Sequence, residues 1–230
     1  MMGGKRIVIA VDGPAGSGKS SVSREAAKVL GLRYIDSGAI YRAITWRLLE
    51  KYGTLDRSAD YGGDLKGLRI EQRFNPDGST VTLVDGRDVS REIRSERIAA
   101  SIGIVSDDPR IRGFVNDLLR SWSREESIIM DGRDIGSVVF PDADCKIYLD
   151  ASVETRALRR CGEYREMGKT VDVNEIKNQI TRRDAEDSSR PFGRLLKADE
   201  AVYIDTSHMT KDQVIQRIIR IAQSKMLEKE

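Results

Sequence analysis

The sequence predicts an α/β fold: a parallel sheet covered by helices on both faces, with a smaller antiparallel insert. Three observations predict it. From residue 6 to residue 52 the chain alternates strand, helix, strand, helix, the rhythm of a parallel sheet with crossover helices. The runs Arg6–Val11 and Ser127–Met130 are short and apolar, as strands buried on both faces are. Leu68–Phe74 and Thr80–Val84 instead alternate apolar and polar residues around Asn75-Pro76-Asp77-Gly78, a hairpin signal.

Each element has a local reason. Arg6–Val11 ends at Asp12-Gly13-Pro14, residues that punctuate a strand. A helix is predicted over Ser20–Leu30, where Val22, Ala26, Val29 and Leu30 recur at helical spacing and Gly31 stands at the stop position. A strand at Leu32–Ile35 and a helix over Ala39–Tyr52 follow. Asp85-Gly86 offers a second turn before a short strand at Arg87–Val89. Glu92–Ile104 and Pro109–Trp122 read as helices, the second with Pro109 in its first turn. Ser127–Met130 ends at Asp131, and the next strand, Cys145–Leu149, ends at Asp150. Val153–Gly168 is a polar, Arg-rich helix, Val173–Ala185 a further helix and Ala201–Ile204 the last strand. Lys211–Leu227 is amphipathic, with Val214, Ile218 and Ile221 on one stripe.

The 230 residues suit one large domain, or one domain carrying an insert. Lys and Arg total 39 and Asp and Glu 37, a net charge of +2, which argues against a nucleic-acid binder with a lopsided basic surface. Arginines outnumber lysines 27 to 12, a bias that suits bidentate recognition of phosphate or carboxylate. No run approaches the ~18 apolar residues of a membrane span. The stretch from Met1 into Ile7–Val11 is too short and wrongly followed for a signal peptide. Cys145 and Cys161 lack metal-type spacing and are expected to be reduced thiols of a cytoplasmic protein. His208 is the single histidine, so a triad built on a histidine base is implausible. Trp46 and Trp122 read as packing residues.

Gly13-Pro14-Ala15-Gly16-Ser17-Gly18-Lys19-Ser20 matches G-x-x-x-x-G-K-[ST] between a strand and a helix. Its glycines let backbone N–H groups turn inward around an anion, and the helix N-terminus adds the positive end of its dipole. Lys19 is expected to neutralise β- and γ-phosphate charge, and Ser20 to ligate Mg²⁺. The motif names a nucleoside triphosphate; it does not name the acceptor.

Three further clusters lie at strand ends or on helices. Asp36-Ser37-Gly38-Ala39-Ile40-Tyr41-Arg42 follows the second strand, where Ser37 is placed either to meet a ligand or to cap the helix. Asp131-Gly132-Arg133-Asp134 puts two acids and an arginine on one turn, to bind a ligand or to form a local ion pair. Arg183 and Asp187, four apart, share a helix face with Arg190 nearby. Arg156, Arg159, Arg160 and Arg165 decorate one helix, read as a mobile lid that carries arginines to a phosphoryl group or as a solvated face.

Taken in order, the phosphate loop, Asp-Ser-Gly-Ala-Ile-Tyr-Arg at 36–42, Asp-Gly-Arg-Asp with Ile-Gly-Ser-Val-Val-Phe-Pro-Asp-Ala at 131–143, and Arg-Arg-Asp with Asp-Ser and Arg at 182–190 resemble the bacterial cytidylate (CMP/dCMP) kinases. The resemblance runs from about Arg6 to the C-terminal helix. It implies a P-loop three-layer fold: a core of residues 1–54 and 98–230, an inserted acceptor-binding subdomain at 55–97 and a short helical lid at about 154–170. It implies ATP, Mg²⁺ and CMP or dCMP as ligands, and a monomer. The loop from Gly13 through Pro14, Ala15, Gly16, Ser17, Gly18, Lys19 and Ser20 to Ser21 would hold ATP. Ser37, Arg42 and Arg133 would face the acceptor's phosphate or sugar, and Tyr41 would also contact the substrate. Ser101, Arg112 and Asp134 would read cytosine, with Arg110 the alternative to Arg112. Arg183 and Asp187 would reach the sugar and Arg190 the phosphates. Lys19, Arg133, Arg156, Arg160 and Arg190 would stabilise the charge in transit. Asp36, Asp131 or both would orient water on the metal. The loop Arg190–Lys197 is more basic than the family pattern.

A carboxylate at Asp134 accepts from the cytosine amine where uracil has an oxygen, so it selects against uracil. A phosphate nucleophile is already ionised, so no strong general base is needed. Rival readings are a shikimate or adenylate kinase, whose acceptor motifs differ, and a nucleotide-binding switch without turnover.

Overall fold

The computed structural model describes residues 6–228 apart from 167 and 191. Met1–Lys5, Met167 of the predicted lid helix, and Pro191 of the basic loop lie outside the described residues. The chain opens with β1 (Val8–Asp12), α1 (Lys19–Leu30), β2 (Arg33–Asp36) and α2 (Ser37–Tyr52). The insert supplies β3 (Ile70–Phe74), β4 (Thr80–Val84) and β5 (Arg87–Asp88), followed by α3 (Glu96–Ser106) and α4 (Pro109–Ser123). The remainder is β6 (Ile128–Gly132), β7 (Cys145–Asp150), α5 (Val153–Glu166), α6 (Val173–Ser189), β8 (Val202–Asp205) and α7 (Lys211–Leu227).

The central sheet has the order β2–β6–β1–β7–β8, and all its pairings are parallel. With β1 at the centre, alternate residues serve two cores. Ile9 and Val11 pack with α1 and α7 through Val22, Ala26 and Ile218. Ala10 faces the other way, toward Ile40 and Ile44 of α2 and Ile111 and Val115 of α4. The result is the three-layer P-loop architecture, helix on sheet on helix. Parallel pairing also brings the carboxyl ends of β1, β2 and β6 side by side, with Asp12 opposite Gly132 and Asp36 opposite Asp131. Ligands bind at such an edge. Among the described residues no helix is long and apolar enough to cross a membrane.

The insert is an antiparallel sheet in the order β3–β4–β5. Its Ile70, Val84 and Val89 join the α2 side of the core. Gln72 of β3 grips the end of β2 reciprocally: its Oε1 accepts from Asp36 N at 3.0 Å, and its Nε2 donates to Asp36 O at 2.8 Å. Arg33 Nη2 donates to the Gln72 carbonyl at 2.8 Å.

Some elements differ from expectation. The helix expected over Glu92–Ile104 breaks at Ser95, whose extended backbone separates a 3₁₀ turn at Glu92–Arg94 from α3. The break lets Ile93 stay buried while Arg94 reaches Asp36 Oδ2 at 2.7 Å. The cap of α2 is Asp36, which accepts from Ala39 N at 2.9 Å, and α2 begins at Ser37. Residues Ile135–Val139 form a π-helical turn. Trp122 is buried, with Arg33 stacked on its ring at 5.1 Å, and Trp46 packs against the core beneath Arg87.

Gly13 has φ +149°, and a Cβ there would lie 2.0 Å from the Leu149 carbonyl oxygen. Gly13→Ala is therefore expected to cost a few kcal/mol, roughly 2–4, through strain and a backbone clash. A lowered thermal midpoint together with weakened nucleotide binding would show it; a wild-type melt would contradict it.

Candidate active site

A cleft of about 740 Å³ opens at the carboxyl edge of the sheet. Its donor end is the loop between β1 and α1. Gly16 and Gly18 adopt positive φ, and Gly18 leads directly into the N-terminus of α1. Lys19 is buried and folded back on the loop, with Nζ donating to Pro14 O at 2.7 Å. Burial and the neighbouring Arg133 push its ammonium well below the usual lysine range, although Asp131 and Asp12 pull the other way. An anion arriving beside Lys19 would favour its charged form.

Asp131, at the end of β6, accepts from Ser20 Oγ at 2.7 Å and from Tyr34 Oη at 2.6 Å. Its backbone oxygen accepts from Ser37 Oγ at 2.7 Å, so that hydroxyl braces β6 rather than capping α2. Burial and Asp36 raise the Asp131 carboxyl, against Lys19. Ser20, Asp131 and Asp36 are hard oxygen donors at the mouth of the phosphate loop. Among the described residues no cluster of three His, Cys, Asp or Glu forms a complete metal cage.

Asp12, the last residue of β1, accepts from Ile135 N at 2.8 Å and Gly136 N at 2.7 Å. These bonds cap the first two N–H groups of the π-helical turn, whose own bonds run from Val139 N to Asp134 O at 3.2 Å and from Phe140 N to Ile135 O at 2.7 Å. Burial raises the Asp12 carboxyl to about 6, with those two bonds opposing.

Away from the loop the cleft is lined by arginines balanced by acids. Arg112 pairs with Asp134 Oδ2, both buried. Arg112 also donates to Ser106 O at 3.3 Å and lies over the Tyr41 ring. Burial raises the Asp134 carboxyl, while Arg112 and Arg133 lower it. Arg133 Nε donates to Asp187 Oδ2 at 3.0 Å, and Arg190 Nη2 lies 3.0 Å from Asp187 Oδ1. Burial works against the Asp187 anion, but Arg133 and Arg190 outweigh it and hold the carboxyl below the usual range. Arg42 is lowered to about 10 by burial and by Arg94 and Arg183; Arg183 is lowered by burial and by Arg133. Crowded, partly desolvated guanidinium groups of this kind are a receptor for dianionic phosphate.

Most expected site residues line this one cleft: Ala15 to Ser21, Ser37, Tyr41, Arg42, Arg112, Arg133, Asp134, Arg160, Arg183, Asp187 and Arg190. Gly13 and Pro14 do not line it, and Pro14 instead serves Lys19. Ser101 does not line it either; Ser106, lower on α3, does. Arg110 is exposed beside Asp60 and Asp108, whereas Arg112 is buried in the cleft wall. Arg156 is turned away. It donates to Asp184 at 2.6 and 3.0 Å, to Ala15 O at 3.0 Å and to Ala151 O at 2.9 Å. It therefore pins α5 and α6 to the phosphate loop. Residues outside the sequence reading also line the cleft, among them Arg24, Arg94, Thr206, Met209 and Lys211, as does Arg159, read in the sequence only as one of the helix arginines. Arg159 donates to Ser17 O at 3.2 Å and to Thr206 O at 2.7 Å. It sits beside Arg160 in the sequence, but only the rotation of α5 distinguishes the two. The loop after α6 comes close as well: a Cβ on Gly193 would lie 2.0 Å from Arg112 Nη1.

Two expectations follow. Asp12 is a carboxyl raised on folding, so the native state holds its proton longer than the unfolded chain between about pH 4 and pH 6. Its contribution is most favourable below that window and is lost as pH rises through it, by about 3 kcal/mol. Urea unfolding from pH 4 to pH 7 should show Asp12→Asn gaining by that amount relative to wild type; a constant difference would refute it. Arg156→Ala, which strands Asp184, should cost about 3–5 kcal/mol. The exposed Arg160, which pairs with Glu163 and lies over the Tyr164 ring, should cost under about 1 kcal/mol when replaced by Ala. Equal melting temperatures for the two variants would contradict this.

Residues 9–224 match the family model described as Cytidylate kinase. A cytidylate kinase from Streptomyces avermitilis is 42% identical over 221 residues, covering 95% of this chain and 94% of the relative. One from Symbiobacterium thermophilum is 41% identical, covering 95% and 96%, and one from Pelodictyon phaeoclathratiforme is 39% identical, covering 97% of each. With the phosphate loop, the parallel sheet and a match across nearly its whole length, this chain belongs to the cytidylate kinase family of nucleoside monophosphate kinases.

Proposed function

We propose that the enzyme transfers the γ-phosphoryl group of ATP to CMP or dCMP, giving ADP and CDP or dCDP. The observation that carries this reading is a single cleft with a phosphate loop at one end and a buried Arg112–Asp134 pair at the other. Arg42, Arg133, Arg183 and Arg190 lie between them.

ATP lies along residues 13–21, its β- and γ-phosphates on Lys19, with Arg159 and Thr206 at the outer end of the loop. The acceptor phosphate meets Arg42, Arg133, Arg183 and Arg190, and its sugar lies near Ser37 and Asp187. Asp187 aligns Arg133 and Arg190, so both guanidinium groups are oriented before the acceptor arrives. Tyr41 flanks the base. Asp134 accepts from the cytosine amine, and Arg112 donates to the ring. Residues 55–97 act as the acceptor-binding insert and about 154–170 as the lid, with Arg160 as its arginine toward the phosphoryl group. Mg²⁺, when bound, spreads the charge of the β- and γ-phosphates. Ser20 would hold it, with Asp131 and Asp36 orienting its water. The acceptor oxygen is already anionic, so the chain's task is to align the two phosphates and balance their charge. Closure excludes water and thereby protects ATP from hydrolysis.

ADP release in a coupled assay with CMP, dCMP, UMP and AMP tests the reading, with the cytosine nucleotides expected to lead. Equal turnover of UMP would overturn it. Asp134→Ala should compress the CMP-to-UMP preference by about 10–100-fold, because the amine loses its acceptor.

A further inference from the structure

Ser106 is the last residue of α3 and is buried in the wall of the acceptor end. Its hydroxyl has no hydrogen-bond partner. That is unusual in this molecule. Helical Thr45 donates to Tyr41 O at 2.7 Å, Ser121 to Leu118 O at 2.7 Å and Ser123 to Arg120 O at 2.8 Å. Such back-bonding is the ordinary resting state of a helical hydroxyl. Ser106 forgoes it, and the Gly103 carbonyl one turn earlier is taken by Asp107 N instead.

Other buried hydroxyls without partners among the described residues are Ser23, Thr80 and Ser137, and none of these lines the cleft. Ser106 alone of the group belongs to the cleft wall, next to the guanidinium that its own carbonyl holds. An unmet buried hydroxyl is a standing cost to the free protein. A ligand that meets it removes that cost on binding.

We propose that Ser106 is a specificity residue of the acceptor site, donating its hydroxyl to the acceptor edge of the pyrimidine, N3 or O2, beside Arg112. The inference rests on the cytidylate reading of the cleft and deepens it. The division of labour follows from chemistry: Asp134 can only accept when ionised and takes the amine, so the donors needed for N3 and O2 come from Arg112 and Ser106. Ser101, expected in this role from the resemblance, lies one and a half turns earlier on α3 and outside the cleft wall.

Steady-state kinetics and thermal shifts on Ser106→Ala test this. The KM for CMP should rise about tenfold with kcat within about twofold, and the CMP-induced rise in melting temperature should shrink. The ligand-free variant should melt at or above wild type, because it loses an unmet polar group. Ser23→Ala, which removes an equally unmet hydroxyl away from the cleft, should keep the wild-type KM. An unchanged KM and thermal shift for Ser106→Ala would overturn the proposal. So would a lower melting temperature without ligand, which would reveal a structural partner. If wild type shows no preference for CMP or dCMP over UMP, the cytidylate reading falls and Ser106 with it. If the preference holds and Ser106→Ala is silent, only the assignment of Ser106 falls.

Discussion

The Asp131 carboxylate sits where the phosphate loop, two strands and the first acceptor helix converge. Its side chain holds Ser20 and Tyr34, and its carbonyl holds Ser37. Ser20 belongs to α1, Tyr34 to β2 and Ser37 to α2, so one residue at the end of β6 sets three elements against one another. Burial makes this arrangement demanding. A carboxylate in the core is tolerable only while its lone pairs are met, and each partner is therefore also a constraint on where its own element sits. The phosphate loop and the start of α2 inherit their spacing from this junction.

Asp12 repeats the device on the neighbouring strand. It ends β1 immediately before the phosphate loop and collects the N–H groups that follow Asp134. The turn after Asp134 and the phosphate loop are thus parts of one hydrogen-bonded unit. Around it, arginines are neutralised in short relays: Arg112 by Asp134, Arg133 and Arg190 by Asp187, Arg156 by Asp184. Removing one member of a buried pair costs more than the pair contributes, because a charge is left stranded. The near balance of charge over the whole chain is accordingly reproduced inside the cleft, at the scale of individual side chains.

Local chemistry was readable in advance where its partners are close in sequence. The strand, glycine loop and helix of residues 6–30 follow from β-branching, turn residues and helical spacing alone. The break at Ser95 was not readable, because its cause is Arg94 reaching Asp36, 58 positions away. Neither was the π-helical turn, whose N–H groups bond to a carboxylate more than a hundred residues earlier. Helix rotation hid other placements. Arg110 and Arg112 differ by about 200° around α4, so one is exposed and the other buried, and a sequence motif cannot choose the face. The same ambiguity placed Arg156 among the cleft arginines and passed over Arg159. On α3 it favoured Ser101, although the cleft wall is formed by Ser106.

The grip of Gln72 on Asp36 has a consequence beyond positioning. β2 is an outer strand of the central sheet, and an outer strand offers unpaired peptide groups to any other chain that can add to it. A glutamine side chain carries the same donor and acceptor as a peptide bond, and here it occupies both backbone groups of Asp36, while Arg33 ties down the Gln72 carbonyl. The insert thereby closes the margin of the sheet without extending it by a strand. The same side chain that fixes the end of β2 therefore also takes up, at Asp36, the peptide groups through which another strand could add.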